Sequence, residues 1–310
     1  MSQSDADSAG LSGSGLDEEQ RFPMGTAPDA AEQPPAPGID ITKPHVARIY
    51  DYFLGGKHNY AADREAAAQL LRVMPAVRAA ARVNRRFLIE TVRWLVQEAG
   101  VRQFLDIGSG LPTQQNVHEV AQSIDKDARV VYVDNDPLVR VHAEALLATT
   151  PNTIVLEADM RDPEALLNRP EVREHLDFSQ PIALLLVSIV HFIQDTQQAY
   201  EAVKTLRDAL PSGSYLVMSH GLNDESIADT LDEAVAIYNR ANSGVTLRTR
   251  DEIARFFEGC TLIGSGLSPI VDWSIHGPLG DEQEGRIVSI NDIPLLRGFP
   301  LLCGVGRIES

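Results

Sequence analysis

The sequence has little cysteine, little positive charge and no long apolar run. Its 310 residues include two cysteines, Cys260 and Cys303, and 27 lysine or arginine residues against 44 acidic ones. The cysteines lack metal-ligand spacing and lie in apolar, strand-like runs, so we expect buried thiols, no metal site and a reducing cytoplasm. No apolar stretch reaches the roughly 18 to 20 residues of a membrane span, and the N-terminus lacks the features of a signal peptide. We therefore expect a soluble cytoplasmic protein that does not contact a membrane.

The negative charge also limits the partners. A net charge of -17 argues against nucleic acid, because proteins that bind phosphate backbones usually present a basic surface. The charge is uneven, since residues 1–40 hold eight acids and one arginine, whereas residues 43–93 hold ten lysines or arginines and four acids. The basic stretch could receive an anionic group, or it could be a solvated helical face.

The chain divides into three predicted parts. Residues 1–40 are rich in Ser, Gly, Ala, Pro and acids, and we expect a disordered acidic tail because they have little apolar surface to bury. Residues 41–100 are predicted to form an N-terminal helical cap, and residues 101–310 a cofactor-binding domain. The predicted helices of the cap run from Thr42 to Gly55, from 63 to about 73 and from about 75 to 99.

From residue 101 onward, strand-like and helix-like segments alternate. This alternation predicts an α/β fold with a doubly wound, mainly parallel sheet. The runs 260–267 and 300–307 predict a closing hairpin pair, and 286–290 an extra strand. The predicted strands are 101–107, 129–134, 153–157, 181–188 and 214–219, and the predicted helices are 113–124, 137–149, a short one after Pro163, 195–209, 224–241 and 250–258.

A glycine turn after the first predicted strand is the clearest functional signal. Gly108 and Gly110, with Ser109 between them, allow the backbone to turn sharply and to approach a ligand closely. Asp134 ends the next apolar strand, at the distance where nucleotide-binding folds hold a ribose hydroxyl, and Asn135 follows it. We predict that these five residues contact a nucleoside cofactor.

The acid at Asp106, two residues before the first glycine, narrows the choice of cofactor. Dinucleotide-binding turns have an apolar residue there and a third glycine where this chain has Thr113. A carboxylate in the turn would repel a diphosphate, but it suits S-adenosyl-methionine, which carries an ammonium group and a sulfonium. Asp106 is therefore predicted to belong to a methyl-donor site.

Further polar residues follow the third and fourth predicted strands. Asp159 could accept a hydrogen bond from an adenine amino group while Met160 covers the purine face, although Asp159 could instead cap the helix that starts near Pro163. Ser188 and His191 follow the fourth strand, at the edge where open α/β sheets bind ligands. His191 could serve as a catalytic base, or it could be a loop histidine bonded to its neighbours.

The segment from Tyr50 to Tyr60, YDYFLGGKHNY, is dense in aromatic, glycine and polar residues. A cap over a pocket would need them, because aromatic faces attract a sulfonium by cation–π interaction. An amphipathic helix that ends at a glycine stop is the alternative. We predict that the cofactor contacts in this region and in the third cap helix are Tyr52, Gly55, Gly56, Lys57, Tyr60 and Arg85.

Five segments of the chain resemble a family of bacterial S-adenosyl-methionine-dependent methyltransferases. They are ARIYDYFLGGKHNYAADREAA, ARVNRRFLIE, FLDIGSGLPTQQNVHEVAQ, VVYVDNDP and EADMRDP. That family, long catalogued as a domain of unknown function, is abundant in antibiotic-producing filamentous bacteria, and the resemblance covers roughly residues 40–307. It implies a class I methyltransferase, Rossmann-like fold with a seven-stranded sheet, an antiparallel last strand and an N-terminal helical cap. The stretch 275–300 is longer than the resemblance leads us to expect.

The leading hypothesis is an S-adenosyl-methionine-dependent methyltransferase that acts on a small-molecule acceptor, with His191 as the base. A protein that binds S-adenosyl-methionine without catalysis, in a regulatory role, is the main alternative. An NAD(P)-dependent oxidoreductase is a second alternative, supported by the strand–turn–helix pattern and opposed by Asp106 and Thr113. The sequence does not specify the acceptor or the oligomeric state.

Overall fold

The computed structural model has a central sheet with helices on both of its faces. The predicted tail lies outside the described residues apart from Asp40, and so do the predicted strand at 286–290 and residues 142–149 of a predicted helix. The helical cap and the sheet belong to one compact unit, Pro34–Ser310. The described residues are 40–112, 115–141, 150–241, 244–276 and 293–309.

The sheet contains β1 (Gln103–Ile107), β2 (Arg129–Asp134), β3 (Thr153–Glu157), β4 (Ala183–Val187), β5 (Tyr215–Gly221), β6 (Cys260–Leu262), β7 (Ser268–Pro269) and β8 (Leu301–Ile308). The strand order is β3-β2-β1-β4-β5-β8-β6, and β7 also pairs with β8. The first five strands pair in parallel, and β8 runs antiparallel to β5. The predicted mainly parallel sheet with an antiparallel last strand is therefore confirmed.

The predicted run 260–267 forms a strand only at its start, as β6, and a second short strand, β7, follows the run. β6 pairs with β8 at 306–308, and β7 pairs with the same edge of β8 at 302–303, so the two share the seventh position of the sheet. Gly264 and Gly266 interrupt the run because both have positive φ, at 61° and 69°. A Cβ on Gly264 would also lie 2.4 Å from the Ser274 carbonyl oxygen.

The helices are α1 (Val46–Leu54), α2 (Ala61–Val73), α3 (Val77–Gln97), α4 (Val117–Ile124), α5 (Pro163–Leu167), α6 (Pro170–His175), α7 (Thr196–Asp208), α8 (Ala228–Tyr238), α9 (Arg250–Arg255) and α10 (Ile293–Leu296). Two 3₁₀ turns cover Val190–Phe192 and Glu225–Ile227, and residues 137–141 are helical. Helix α4 begins later than predicted because Asn116 caps it, with the Glu119 carboxylate accepting from the Asn116 amide at 2.7 Å. No helix of the described residues is both long and apolar enough to cross a bilayer.

The alternation of side chains along β1 separates the two halves of the core. Leu105 and Ile107 pack on one face, against α5, α6, α7 and α9, whereas Phe104 packs on the other, against α3 and α4. Asp106 shares the face of Phe104 because residues two apart in a strand point the same way. The strand order reverses between β1 and β4, and open α/β sheets bind ligands at such a reversal.

Buried carboxylates organise the cap. Asp63, fully buried, accepts hydrogen bonds from the amides of His45 and Tyr60, both at 2.8 Å, and lies 3.4 Å from Nε of Arg48. These bonds fasten the start of α1 to the start of α2. The guanidinium of Arg48 donates to the carbonyl oxygens of Asp40 and Lys43, which adds the chain before α1 to the same cluster.

Asp51 closes the turn between α1 and α2. Its Oδ2 accepts from the His58 amide at 3.0 Å and from the Asn59 side-chain amide at 2.8 Å, and Asn59 also donates to the Gly56 carbonyl oxygen at 3.1 Å. Helix α1 ends at Gly55, which has φ of 82°, as the glycine stop predicted. A Cβ on Gly56 would lie 1.9 Å from Oδ1 of Asp51, so the absence of a side chain there makes room for the carboxylate.

A double-mutant cycle tests this packing. We expect Gly56→Ala to destabilise the protein by about 1 to 3 kcal/mol, because the new methyl group overpacks against Asp51. In an Asp51→Ala background the same change should cost less, since the carboxylate is gone. Chemical denaturation of the four proteins measures the coupling, and equal costs in the two backgrounds would contradict the contact.

Candidate functional site

The glycine turn after β1 folds back onto the end of β2. Gly108 and Gly110 have φ of 71° and 67°, which glycine adopts without strain. The Gly108 amide donates to the Val133 carbonyl oxygen at 2.7 Å, and the Gly110 amide donates to Oδ2 of Asp134 at 2.9 Å. A Cβ on Gly108 would lie 2.4 Å from the side chain of Ile189, so this glycine also lets the turn approach the end of β4.

A cavity of about 250 Å³ lies over the carboxyl ends of β1 to β4. Nine of the residues predicted from the strand ends line it: Asp106, Gly108, Ser109, Gly110, Asp134, Asn135, Asp159, Met160 and Ser188. Two more predicted residues, Arg85 and His191, also line it. The structure thus brings together residues that lie near the ends of four different strands. The most distant of these in the sequence, Asp106 and His191, are 85 positions apart.

Asp106 and Asp134 are buried acids whose carboxyl groups reach this cavity. Burial raises the pKa of Asp106 to about 7, the positive charge of Arg85 lowers it, and Asp134 raises it further. Burial also raises the pKa of Asp134 to about 6, although amide donors, among them Asp136 and Gly110, oppose the rise. Both groups therefore lie close to their protonation midpoints near neutral pH.

Arg85 of α3 lies close enough to Asp106 for its positive charge to lower the pKa of that acid. Its Nη2 donates to the Gln115 carbonyl oxygen at 3.1 Å and to Oδ1 of Asn116 at 3.3 Å, which holds it beside the glycine turn. Its Nε is buried and finds no hydrogen-bond partner among the described residues. An acid and an arginine at one end of a cavity can bind the ammonium and the carboxylate of an amino acid.

The residues after β3 form a compact polar turn. Asp159 accepts hydrogen bonds from the backbone amide and the guanidinium of Arg161. Burial alone would raise the pKa of Asp159, but the bonds from Arg161 outweigh it and lower the pKa. Met160 is 6% exposed and lines the cavity beside them. Asp162, and not Asp159, caps α5, because its carboxylate accepts from the Ala165 amide at 3.1 Å.

His191 lies in the 3₁₀ turn after β4, in a cluster with His220 and Arg248. Burial and the nearby Arg248 lower the pKa of His191 to about 3, so its ring is neutral. Its Nδ1 accepts from the Gly221 amide at 3.4 Å. Arg248, 1% exposed, donates to the carbonyl oxygens of Val190 and Ile193 and lies 3.0 Å from Nε2 of His220, so it fixes the backbone on both sides of His191.

A hydrogen-bonded chain joins the cap to the strand ends. The Tyr50 hydroxyl accepts from the side-chain amide of Asn84 at 3.1 Å, and Oδ1 of Asn84 accepts from Ser219 at 2.6 Å. Ser219 lies at 3.0 Å from the hydroxyl of Ser188, whose φ of 56° is unusual for a residue other than glycine. Nothing in the sequence signals the contact between Ser219 and Asn84, because the two residues are 135 positions apart.

Within the YDYFLGGKHNY segment, the structure brings Tyr50 and Phe53 to the cavity but not the five residues predicted there. Tyr52 faces Arg78, whose guanidinium lies 5.2 Å from the ring centroid, and Tyr60 packs with Leu111. Gly55, Gly56 and Lys57 lie in the turn that Asp51 organises, and none of the five is among the lining residues. For Tyr52 the reason is the helical period of α1, because residues 50 and 53 share a face that residue 52 does not.

The raised pKa of Asp106 predicts a stability effect. The pKa of Asp106 in the folded protein lies above the ordinary value of 3.8, so folding favours the protonated carboxyl group. The stability that this preference contributes is fully present below pH 3.8 and is lost as the pH rises through 7. Asp106→Asn removes the buried charge, so we expect it to stabilise the ligand-free protein at pH 8 by an amount on the order of a few kcal/mol. The gain should shrink as the pH falls toward 5.

Denaturant titrations at the two pH values measure this difference. Asp127→Asn is the matched control, because Asp127 is an exposed acid and its replacement should change stability little. A loss of stability in Asp106→Asn at pH 8, or a gain that does not depend on pH, would contradict the buried charge.

Comparison with known proteins identifies the family. Residues 32–293 match the family described as S-adenosyl methyltransferase. The chain is 41% identical to a candidate methyltransferase from Thermobifida fusca YX, with 88% of this chain and 98% of that chain covered and a TM-score of 0.77. It is also 41% identical to a DUF574 family protein from Streptomyces avermitilis MA-4680, with 86% and 98% covered and a TM-score of 0.75. The search of curated proteins found no match.

These findings confirm the predicted class I methyltransferase fold, the predicted enzyme class and S-adenosyl-methionine as the cofactor. They do not favour the oxidoreductase alternative. The match extends from before α1 to the beginning of α10, so it includes the cap as well as the sheet. The chain belongs to the S-adenosyl methyltransferase family.

Proposed function

We propose that this methyltransferase transfers the methyl group of S-adenosyl-methionine to a small-molecule acceptor, with the cofactor bound over the ends of β1 to β4. The observation that best supports this proposal is that one cavity is lined both by Asp106 and Asp134, from β1 and β2, and by residues of the cap helices. A cavity roofed by helices suits a small molecule better than a folded macromolecule. The net charge of -17 also opposes a nucleic-acid acceptor.

Asp106 and Arg85 would hold the amino-acid end of the cofactor. Asp106 accepts from the ammonium group, which favours its ionised form and brings its pKa down from about 7. Arg85 donates to the carboxylate from its position beside Gln115 and Asn116. Ser109, in the glycine turn, lines the same cavity.

Asp134 and the turn after β3 would hold the nucleoside. Asp134 already accepts from the amides of Gly110 and Asp136, both at 2.9 Å, but an ionised carboxylate has about four acceptor sites, so it can also accept from ribose hydroxyls. Asn135 lies next to it in the lining. Met160 would cover the adenine, and Asp159 would accept from the adenine amino group while keeping its bonds with Arg161.

The cofactor supplies an electrophilic methyl group on a sulfonium. The protein has to bring the acceptor into line with that group and exclude water, and such alignment supplies most of the acceleration in displacement reactions. His191 is our candidate for the group that receives a proton from the acceptor. Its ring is neutral, as a base must be, but its pKa of about 3 makes it a weak base. It therefore suits an acceptor that is itself readily deprotonated.

Asp134→Asn tests the cofactor site. The variant keeps an oxygen acceptor for the backbone amides but loses the charge, so we expect the binding of S-adenosyl-homocysteine to weaken by about 1.5 to 3 kcal/mol. Isothermal titration calorimetry measures the affinity, with Asp127→Asn as the exposed control. Unchanged affinity in Asp134→Asn would remove Asp134 as a ribose ligand.

Transfer of a labelled methyl group tests the acceptor class. The protein is incubated with methyl-labelled S-adenosyl-methionine and an extract of Streptomyces avermitilis, which encodes a 41% identical protein. We expect protein-dependent label in the small-molecule filtrate. Label confined to the protein or nucleic-acid fraction would overturn the proposed acceptor class, and no transfer to any fraction would favour the non-catalytic alternative.

A further inference from the structure

The cavity continues beyond the cofactor residues into a chamber that is lined by the cap and by α8. We call this part the apolar chamber. Four of its lining residues are at most 6% exposed, namely Phe53 of α1, Leu70 of α2, and Leu231 and Ala234 of α8. Met74, which follows α2, and Val77, the first residue of α3, also line this part of the cavity.

The chamber is unusual because it opens within a hydrophobic cluster. Phe53, Leu70 and Ala234 belong to the cluster that holds α1, α2 and α8 together, and Met74 and Val77 pack against it. Protein interiors normally fill such a space, since voids larger than a water molecule are few. An apolar void destabilises a protein and holds water poorly, whereas an apolar ligand can fill it.

The polar lining residues that α1, α2 and α8 contribute are Tyr50 and Tyr238, and neither carries a formal charge. The Tyr50 hydroxyl is already engaged, because it donates to the Ala81 carbonyl oxygen at 3.1 Å and accepts from Asn84. The Tyr238 hydroxyl has no hydrogen-bond partner within the part of the chain that the structure describes. Burial and the nearby Tyr50 raise the pKa of Tyr238, so its hydroxyl keeps its proton and can donate it in a hydrogen bond.

The charged residues that line the same cavity come from other elements, namely α3, the strand ends and the turn after β3. Asp106, Asp134 and Arg85 cluster at the glycine turn, and Asp159 pairs with Arg161 after β3. His191, the polar residue from the turn after β4, is neutral. The cavity lining therefore combines charged residues that suit the cofactor with an apolar chamber, whose Tyr238 hydroxyl has no hydrogen-bond partner among the described residues.

We propose that the apolar chamber is the acceptor site, and that the acceptor is a neutral, largely apolar small molecule with a polar atom that hydrogen-bonds to the Tyr238 hydroxyl. This inference rests on the proposed function, because it assigns the acceptor to the apolar chamber of a cavity in which the cofactor is proposed to bind. A charged acceptor would lose its hydration in this chamber without gaining an ion pair from Phe53, Leu70, Leu231 or the other apolar residues that line it.

Binding of neutral probes to the protein loaded with S-adenosyl-homocysteine tests the proposal. The probes are 2-naphthol and 1-heptanol, one planar and one flexible, each with one hydroxyl group. Naphthalene-2-sulfonate is the charged comparison. We expect at least one neutral probe to bind, and we expect naphthalene-2-sulfonate to bind at least about tenfold more weakly than 2-naphthol. Failure of both neutral probes, or equal binding of the sulfonate, would overturn the proposal.

Three variants locate the probe. Ala234→Phe fills the chamber and should weaken probe binding about tenfold or more. Ala236→Phe places the same side chain on the exposed side of α8 and should leave binding unchanged. Tyr238→Phe keeps the shape and removes the hydroxyl, so it should weaken binding about fivefold. If Ala234→Phe fails to fold, the probe affinity of Tyr238→Phe still tests the proposed acceptor site.

The affinity for S-adenosyl-homocysteine, measured in parallel, separates the two proposals. We expect it to stay within about twofold of wild type in all three variants, because none of these residues is in the proposed cofactor site. If wild type does not bind S-adenosyl-homocysteine, the proposed function fails. If it binds and the probe affinity is the same in wild type, Ala234→Phe and Tyr238→Phe, only the acceptor site is wrong.

Discussion

Two carboxyl groups held away from water at the ends of β1 and β2 determine much of the remaining structure. Asp106 and Asp134 are 4% and 8% exposed, and burial raises the pKa of both. Such burial costs free energy in the ligand-free protein. The glycine turn offsets part of it by turning an amide toward Asp134, and Arg85 offsets part by its charge. A cationic cofactor would offset more of this free-energy cost by supplying a positive charge. The ligand-free site therefore favours the binding of such a cofactor.

The sheet could be predicted from the sequence because its signals are local. Uninterrupted apolar runs end in a turn or an acid, and for β2 and β3 the predicted bounds agree with the observed Arg129–Asp134 and Thr153–Glu157. The residues predicted from the strand ends line one cavity because parallel strands bring their carboxyl ends to the same edge. The division into β6 and β7 was not predicted, since it depends on how Gly264 packs against Ser274.

The cap was harder to predict because amino-acid composition does not reveal which residues a side chain will contact or hydrogen-bond in the folded protein. Five residues of the YDYFLGGKHNY segment were assigned to the cofactor. Three of them, Gly55, Gly56 and Lys57, lie in a turn that Asp51 closes by accepting from the amide of His58 and the side chain of Asn59. Helix α8 shows an apolar stripe, but the sequence could not show that this stripe faces the cap. The hydrogen bond between Ser219 and Asn84 could not be predicted for the same reason.

Proton release on ligand binding tests most directly whether Asp106 and Asp134 are the buried partners of the ligand's ammonium group and ribose hydroxyls. Calorimetric titrations with S-adenosyl-homocysteine, in buffers of different ionisation enthalpy, measure it between pH 6 and pH 7, the range set by the two pKa values. The account predicts a net release of protons, because the bound ammonium and ribose hydroxyls favour the ionised carboxylates. The release should fall in Asp106→Asn. Proton uptake, or heats that do not depend on the buffer, would contradict it.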